Sequence, residues 1–250
     1  MTTERPILWT PSTERANGTS LAQYIEWLRE NRGLTFADYP AMWEWSVSDL
    51  SGFWSSVIEF FDIRLTAPYS EVISDRAMPG TVWFKGATLN FADQMLRFAK
   101  TQPEQLAIIL QSETFGRSTL TWRELAAQVA SVAARFKTMG VTKGDRVVAI
   151  LPNTEPALIA CLATVSLGAI WSLCSPDMGH VAILDRFRQI EPKILIAQDG
   201  YVHAGKMIDR SEAIETISQG LPSVTHQIRV PVVGDAPSDA ILWDDLLGEK

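Results

Sequence analysis

The chain has 250 residues, 46% of them hydrophobic and 20% charged, with 29 acidic against 22 basic residues and a net charge of −7. That length allows one large or two modest domains with ample core, and the balance is ordinary for a soluble globular protein. The acidic excess argues against nucleic acid as a partner, since such surfaces are normally basic, although a local basic patch stays open. No basic segment followed by an apolar stretch opens the sequence, so no secretory signal is expected. Cys161 and Cys174 are the only cysteines. Neither has metal-ligand or redox spacing, and both are expected as buried small hydrophobes in a reducing, cytoplasmic compartment. Nothing in the sequence specifies an oligomeric state.

In chain order, Met1–Thr19 carries Pro6, Pro11 and Gly18 and is expected as an extended arm. Ser20 can cap a helix to about Asn31, with Leu21, Tyr24, Ile25 and Leu28 at helical spacing and Gly33 as its stop. A second helix is expected after Ser46 or Ser48, where Leu50, Phe53, Trp54, Val57, Ile58 and Phe61 form an apolar stripe. Trp27, Trp43, Trp45 and Trp54 crowd this region; packing of a helical cap onto the main domain is favoured over an aromatic ligand box, because large aromatics dominate cores and interfaces. Thr66–Pro79 reads as a loop, Thr81–Phe84 as a short strand, and Asn90 as the cap of a helix to about Lys100. Leu106–Leu110 is a strand, with a further one at Ser118–Leu120 after a turn at Gly116. Thr121 and Glu124 form a capping box for a helix whose buried stripe is Leu125, Val129, Val132, Phe136 and Met139, ended by Gly140.

The stretch 140–176 reads strand, helix, strand. Arg146–Leu151 is short, apolar and rich in β-branched residues, with Gly144 before it and Pro152 after it. Asn153 and Thr154 can cap a helix from Glu155 to Leu167, which Gly168 stops, and Ala169–Cys174 returns as a strand. Neither strand alternates polar and apolar residues, so both sheet faces are expected to be covered. Ala157–Cys174 is uncharged over roughly 18 residues, the lower limit for a membrane span. Gly168 divides it, however, and its halves have their own signals, so no membrane association is expected. Helices at Gly179–Gln189 and Ser211–Gln219, strands at Lys193–Ala197 and Gln227–Val233, and a helical turn at Trp243–Leu247 complete the chain. Strands alternating with helices from Leu106 onward make this α/β with a largely parallel sheet.

A parallel sheet invites a nucleotide, yet the sequence holds no Gly-x-x-x-x-Gly-Lys-Ser/Thr, no Gly-x-Gly-x-x-Gly and no Gly-x-Ser-x-Gly. No His, Cys or carboxylate cluster has metal spacing, and His180, His203 and His226 are scattered. Asp145-Arg146 is expected to fix the entry to a strand rather than to act as a catalytic pair. Asp177, His180, Asp185 and Arg186 could line a cleft beyond a strand's carboxyl end, and are rated as supporting residues.

Particular residues carry a resemblance. Met-Gly-Val-Thr-Lys-Gly-Asp-Arg-Val (139–147) after the helix 121–139, then Leu-Pro-Asn (151–153) and Leu-Gly-Ala (167–169), resemble the first βαβ portion of adenylate-forming acyl-CoA synthetases. Trp-Ser-Val (45–47), Phe-Trp (53–54) and Trp-Phe-Lys-Gly-Ala-Thr-Leu-Asn-Phe-Ala (83–92) resemble the N-terminal cap of the acetate-type members. Leu8–Ser12 and Cys174-Ser175-Pro176-Asp177 are most similar to the branch that activates acetoacetate; acetate enzymes typically carry a Gly-Gly-Phe type turn at the second place. The resemblance implies a helical cap over residues 1–100 and, over 101–250, a doubly wound, largely parallel-sheet subdomain of the adenylate-forming ligase fold, incomplete here. It also implies a two-step reaction, in which ATP with Mg²⁺ and the carboxylate give an acyl-adenylate that the coenzyme A thiol then attacks. The family's phosphate loop, its Tyr-Gly-x-Thr-Glu element, its ribose-binding Asp and its mobile-domain lysine do not occur in residues 1–250. The chain is therefore expected to be the N-terminal portion of a longer ligase, with no catalytic residue and no metal ligand of its own. One site carries over: where acetate enzymes place Arg-Ala-Gly-Arg against coenzyme A phosphates, this sequence has His203-Ala204-Gly205-Lys206. Both arginines are replaced, which predicts a weaker phosphate grip. A synthetase for another short acyl acid, and a non-catalytic module binding coenzyme A or a nucleotide, stand as alternatives.

Overall fold

The structure, a computed structural model, describes residues 7–112, 116–234 and 240–248. It divides into two compact units, Met1–Leu89 and Asn90–Lys250, whereas the sequence reading divides the chain between residues 100 and 101.

The first unit holds helices α1 (Thr13–Asn17), α2 (Ser20–Arg32), α3 (Tyr39–Ser48) and α4 (Leu50–Phe60). The expected extended arm contains α1, because the Ser12 hydroxyl accepts the Arg15 backbone N–H at 3.2 Å and caps a helical turn; Met1–Pro6 lie outside the described residues. Helix α2 is capped by Thr19 rather than Ser20 and ends on Gly33 at φ 64°. Helix α3 has no counterpart in the sequence reading; Asp38 caps it and Pro40 sits in its first turn. Asp49 then serves two helices. Its N–H donates to the Trp45 carbonyl at 2.9 Å and its carboxylate accepts the Gly52 N–H at 2.9 Å, so one helix closes where the next opens. Tyr24, Trp27, Trp45, Phe53 and Phe60 pack ring on ring with centroids 5.0 to 6.5 Å apart, so most of the aromatic crowding is this unit's own core. Thr81–Phe84 forms no strand, only a single bridge between Ile73 and Trp83, and Phe84 at φ 45° breaks the extended run.

In the second unit Asn90 accepts the Ala92 and Asp93 N–H groups and donates to the Val165 and Ser166 carbonyls at 3.2 and 3.0 Å. That double role ties α5 (Phe91–Leu96) and the short α6 (Phe98–Thr101) to this unit; they replace the single helix expected over 90–100. Strands β1 (Leu106–Ser112) and β2 (Gly116–Thr121) form an antiparallel pair outside the main sheet. Helix α7 (Trp122–Thr138) follows with its Thr121–Glu124 capping box in place.

The main sheet uses β3 (Arg146–Ile150), β4 (Ile170–Cys174), β5 (Ile194–Gln198), β8 (His226–Val230) and β9 (Ile241–Leu242). All pairs are parallel, in the order β4-β3-β5-β8-β9. Helix α8 (Glu155–Ser166) links β3 to β4, and α9 (His180–Arg188) links β4 to β5. The hairpin β6 (Gly200–His203) and β7 (Lys206–Asp209) and helix α10 (Ser211–Gln219) lie between β5 and β8. Successive residues of β3 and β5 serve opposite cores. Val147, Ala149, Ile194 and Ile196 pack with Val129, Val132 and Phe136 of α7 and Ile159 and Ala163 of α8. Val148, Ile150, Leu195 and Ala197 pack with Ile183 and Phe187 of α9 and Ile214 and Ile217 of α10. Helices on both faces make the sheet doubly wound, as the sequence reading expects. The expectation of full cover fails for β4. It pairs on one side only, and Ile170 and Leu173 are exposed at that edge. The uncharged run 157–174 resolves into α8 and β4, and among the described residues no helix is long and apolar enough to cross a membrane.

Asp145 and Arg146 brace the entry to β3 separately, as the turn reading anticipates. The Asp145 carboxylate accepts the Thr142 N–H at 2.8 Å, the Thr142 hydroxyl at 3.0 Å and the Lys193 ammonium at 3.0 Å. Arg146 donates instead to the backbone carbonyls of Ile190 and Glu191. Lys193 also reaches the Gly140 carbonyl at 2.5 Å, so one ammonium joins the end of α7, the entry to β3 and the start of β5.

The β6–β7 hairpin, absent from the sequence reading, grows from the carboxyl end of β5. His203 pairs with Lys206 across a two-residue turn, Ala204 at φ 49° and Gly205 at φ 74°. Positive φ at both central residues is the signature of a type I′ turn, which matches the twist of its strands. At the base, Gly200 has no room for a side chain: an added Cβ would lie 2.1 Å from Val233 Cγ2 and 2.8 Å from the Ile208 carbonyl. Asp199 secures the neighbouring loop by accepting the Val232 N–H at 2.6 Å and the Val233 N–H at 3.2 Å.

Two predictions follow from these braces. The Thr142 N–H first, then Lys193, hold the Asp145 carboxyl below its ordinary range. Its stabilisation is therefore present above the unfolded carboxylate value and is lost as pH falls through the lower folded one. Asp145→Asn should cost about 1–2 kcal/mol near neutral pH. The gap to wild type should close below about pH 4, and a gap in denaturation midpoint that stays constant with pH would contradict this. Gly200→Ala should destabilise by about 1–3 kcal/mol through overpacking, read as a lower unfolding midpoint, whereas alanine at exposed Gly179 should change little.

Candidate functional site

Parallel strands end on the same side, and in a doubly wound sheet the ends open a crevice where successive crossovers leave to opposite sides. Here β3 is that strand, with β4 on one side and β5 on the other. A cavity of about 470 Å³ lies at these carboxyl ends. Its floor is Leu151, Pro152 and Asn153 after β3; one wall is Leu173 with Ser175, Pro176 and Asp177 after β4; the other is Tyr201, Val202 and His203 of β6. Lys206 sits opposite His203 in the hairpin, and all four residues 203–206 are exposed.

The two walls differ in charge. On the β4 side the Ser175 hydroxyl donates to the Asp177 carboxylate, which holds that carboxyl below its ordinary value. The positive charge of Arg210 adds to the effect. The Met178 N–H donates to the Ser175 carbonyl at 3.2 Å, so residues 175–178 form a braced turn. On the hairpin side stand an imidazole, an ammonium and the turn amides, a set of donors that suits an anion. The cavity therefore has one cationic rim and one anionic rim, which favours a ligand with a phosphate at one end and neutral donors at the other.

A second cavity, about 360 Å³, lies beside β4 and is lined mainly by apolar side chains, among them Ile108, Leu110, Leu158, Trp171 and Leu173. Its one carboxylate, Glu155, is engaged by the Ser118 hydroxyl, and burial pushes the Cys161 thiol up, away from reactivity. Burial does the same to Cys174. The chemistry is concentrated in the first cavity.

Of the residues singled out from sequence, His203 and Asp177 face one another across this cavity, and Ala204, Gly205 and Lys206 form the tip beside it. His180 is exposed in the first turn of α9, while Asp185 and Arg186 are exposed further along that helix and do not line the cavity. His226 is far in the chain topology, at the opposite, amino end of the sheet beside Thr225. Sequence reasoning missed Tyr201 and Arg210, because the hairpin that brings them here was not anticipated. Gly205 between two short alternating runs was its only signal in the sequence.

Comparison with known proteins places this geometry. The family model described as AMP-binding enzyme matches residues 95–245, and that described as acetyl-coenzyme A synthetase N-terminus matches residues 39–95. The acetoacetyl-coenzyme A synthetase of Rhizobium meliloti (strain 1021) is 38% identical over 236 residues, covering 94% of this chain and 35% of the relative. That of Macaca fascicularis is 35% identical over 235 residues, covering 92% and 34%. Among solved structures, acetoacetyl-CoA synthetase from Streptomyces lividans matches with a TM-score of 0.92 and 40% identity over 98% of this chain and 38% of that one. The chain spans about a third of the length of these relatives. Since the larger family model takes in every strand of the parallel sheet and both walls of the cavity, the chain belongs to the AMP-binding enzyme family.

Proposed function

We propose that this chain forms the coenzyme A phosphate-binding face of an ATP-dependent acid–thiol ligase acting on acetoacetate. In that reaction the acetoacetate carboxylate attacks the α-phosphate of ATP, giving acetoacetyl-adenylate and pyrophosphate. The coenzyme A thiol then displaces AMP to leave the thioester. The activity is that of the whole protein, and the likeness to acetoacetyl-coenzyme A synthetases over nearly all of this chain supports the choice of acid.

The observation that carries this chain's part is the type I′ hairpin, which sets His203 and Lys206 in register at the rim of a cavity at strand carboxyl ends. Lys206 supplies a point charge, Gly205 lets a phosphate approach the backbone, and His203 offers a ring N–H. Asp177 opposite repels an anion, which biases the phosphate toward the hairpin. A single ammonium replaces two bidentate guanidinium groups at this turn, so the grip is weaker than two arginines would give. Mg²⁺, when bound, spreads charge on the triphosphate; among the described residues no three His, Cys, Asp or Glu side chains gather to hold it. A reducing, cytoplasmic setting suits two free cysteines with thiols kept protonated by burial.

Lys206→Ala in the whole protein should raise the apparent KM for coenzyme A by about three- to tenfold, the value of one phosphate contact. Acetoacetate-dependent ATP–pyrophosphate exchange should stay intact. Loss of exchange would assign Lys206 to the first half-reaction instead. Exchange driven equally by acetate or propionate would replace acetoacetate as the substrate, and coenzyme A binding with no exchange for any acid would favour a binding module.

A further inference from the structure

We infer that Arg210 is a positioning residue: it latches the β6–β7 hairpin to the turn after β4 and thereby sets the width of the proposed coenzyme A cavity. Both walls are internally rigid. The hairpin is closed by its type I′ turn and the facing turn by the Met178–Ser175 and Ser175–Asp177 hydrogen bonds. What neither wall has is a backbone ladder to the other, because β6 and β7 pair only with each other and stand outside the main sheet. Arg210 supplies the connection. Its N–H donates to the Asp199 carbonyl at 2.7 Å at the hairpin base, and its carbonyl accepts the Ile214 N–H at 2.9 Å at the start of α10. Its guanidinium donates to the Met178 carbonyl at 2.7 Å in a part-buried position. Among the described residues this is the one hydrogen bond that joins segment 175–179 to segment 199–210.

The residue type fits the task. A planar guanidinium can bind a carbonyl while its delocalised charge faces the neighbouring Asp177 carboxylate, and it loses little freedom for each bond formed. A single link between two rigid pieces acts as a hinge stop. Without it, hairpin and turn remain folded but their separation is no longer defined, and a small misplacement of binding groups is costly. Arg188, which donates to the Gly220 carbonyl at 2.9 Å, is an arginine–carbonyl link of the same kind away from the cavity and serves as the control.

The inference rests on the coenzyme A reading only for its ligand, so the experiment has two arms, both on the whole protein. In the first, backbone hydrogen exchange is followed by mass spectrometry for wild type, Arg210→Met, Arg210→Lys and Arg188→Met. Arg210→Met should speed exchange in both 175–179 and 200–208 while leaving β3 and β5 unchanged; Arg210→Lys, which keeps a donor, should recover part of the protection; Arg188→Met should leave both segments as in wild type. Unchanged exchange in the two segments, or a rise spread across the whole sheet, overturns the latch. In the second arm, calorimetric titration with coenzyme A should show about tenfold weaker binding for Arg210→Met, the scale of a hydrogen bond to a charged group. Adding Lys206→Ala to that variant should cost less than it costs wild type, since the tip is already displaced. Fully multiplicative losses would overturn the coupling. If wild type binds no coenzyme A, the proposed ligand falls and the exchange arm alone decides the latch.

Discussion

The second unit depends on one constraint, the burial of β3 and β5 on both faces. Their side chains alternate between two apolar layers, so neither strand can shift by one residue without moving its whole apolar set into the wrong layer. This locks the register of the three parallel pairs that include β3 or β5. It also dictates where chemistry is possible, because backbone groups are paired along the sheet and freed only where strands end. With β4 and β5 flanking β3, the two crossovers leave to opposite sides and the carboxyl ends cannot close over. The cavity is a consequence of the topology before any side chain is considered.

Carboxylates in this chain show how one interaction serves different ends. Asp145 and Asp177 both accept hydrogen bonds from a neighbour two or three residues away, and both carboxyls are held low by it. Asp145 adds an ammonium from β5's leading edge and becomes a joint between α7, β3 and β5. Asp177 keeps an exposed face toward the cavity and becomes part of its electrostatics. The difference lies in which end of the sheet each occupies. Both ends carry side chain to backbone bonds, but only the carboxyl ends border the cavity.

The first unit follows another logic. It buries few aliphatic side chains and depends on aromatic rings around Tyr24 and Leu28, with the Tyr24–Ser56 hydroxyl pair satisfied inside. Trp43 stays exposed on α3, so the tryptophan content of that stretch is not a single feature with a single explanation.

Much of this was legible in the amino-acid sequence. The capping box at Thr121, the stripe on α7, the glycine after α8 and the β-branched run of β3 each state a local preference strong enough to survive tertiary context. The family likeness was legible as well, since it rests on contiguous motifs. Illegible were α3, whose apolar residues are half aromatic and weakly periodic, and the break at Arg97, which keeps helical φ and ψ and has no side-chain cap to mark it. The edge position of β4 was also hidden, because an apolar strand looks alike whether one or two neighbours pair with it. Residues 203–206 could be picked out by likeness, yet their composition does not say that Ala204 takes positive φ or that His203 meets Asp177. Sequence by itself determined α7, α8 and the sheet strands β3 to β5, the two-faced burial of β3 and the family, since those depend on periodicity and contiguous motifs. Tertiary structure alone decided strand order and the arrival of Arg210 at Met178, because these depend on contacts between residues dozens of positions apart, which no local pattern encodes.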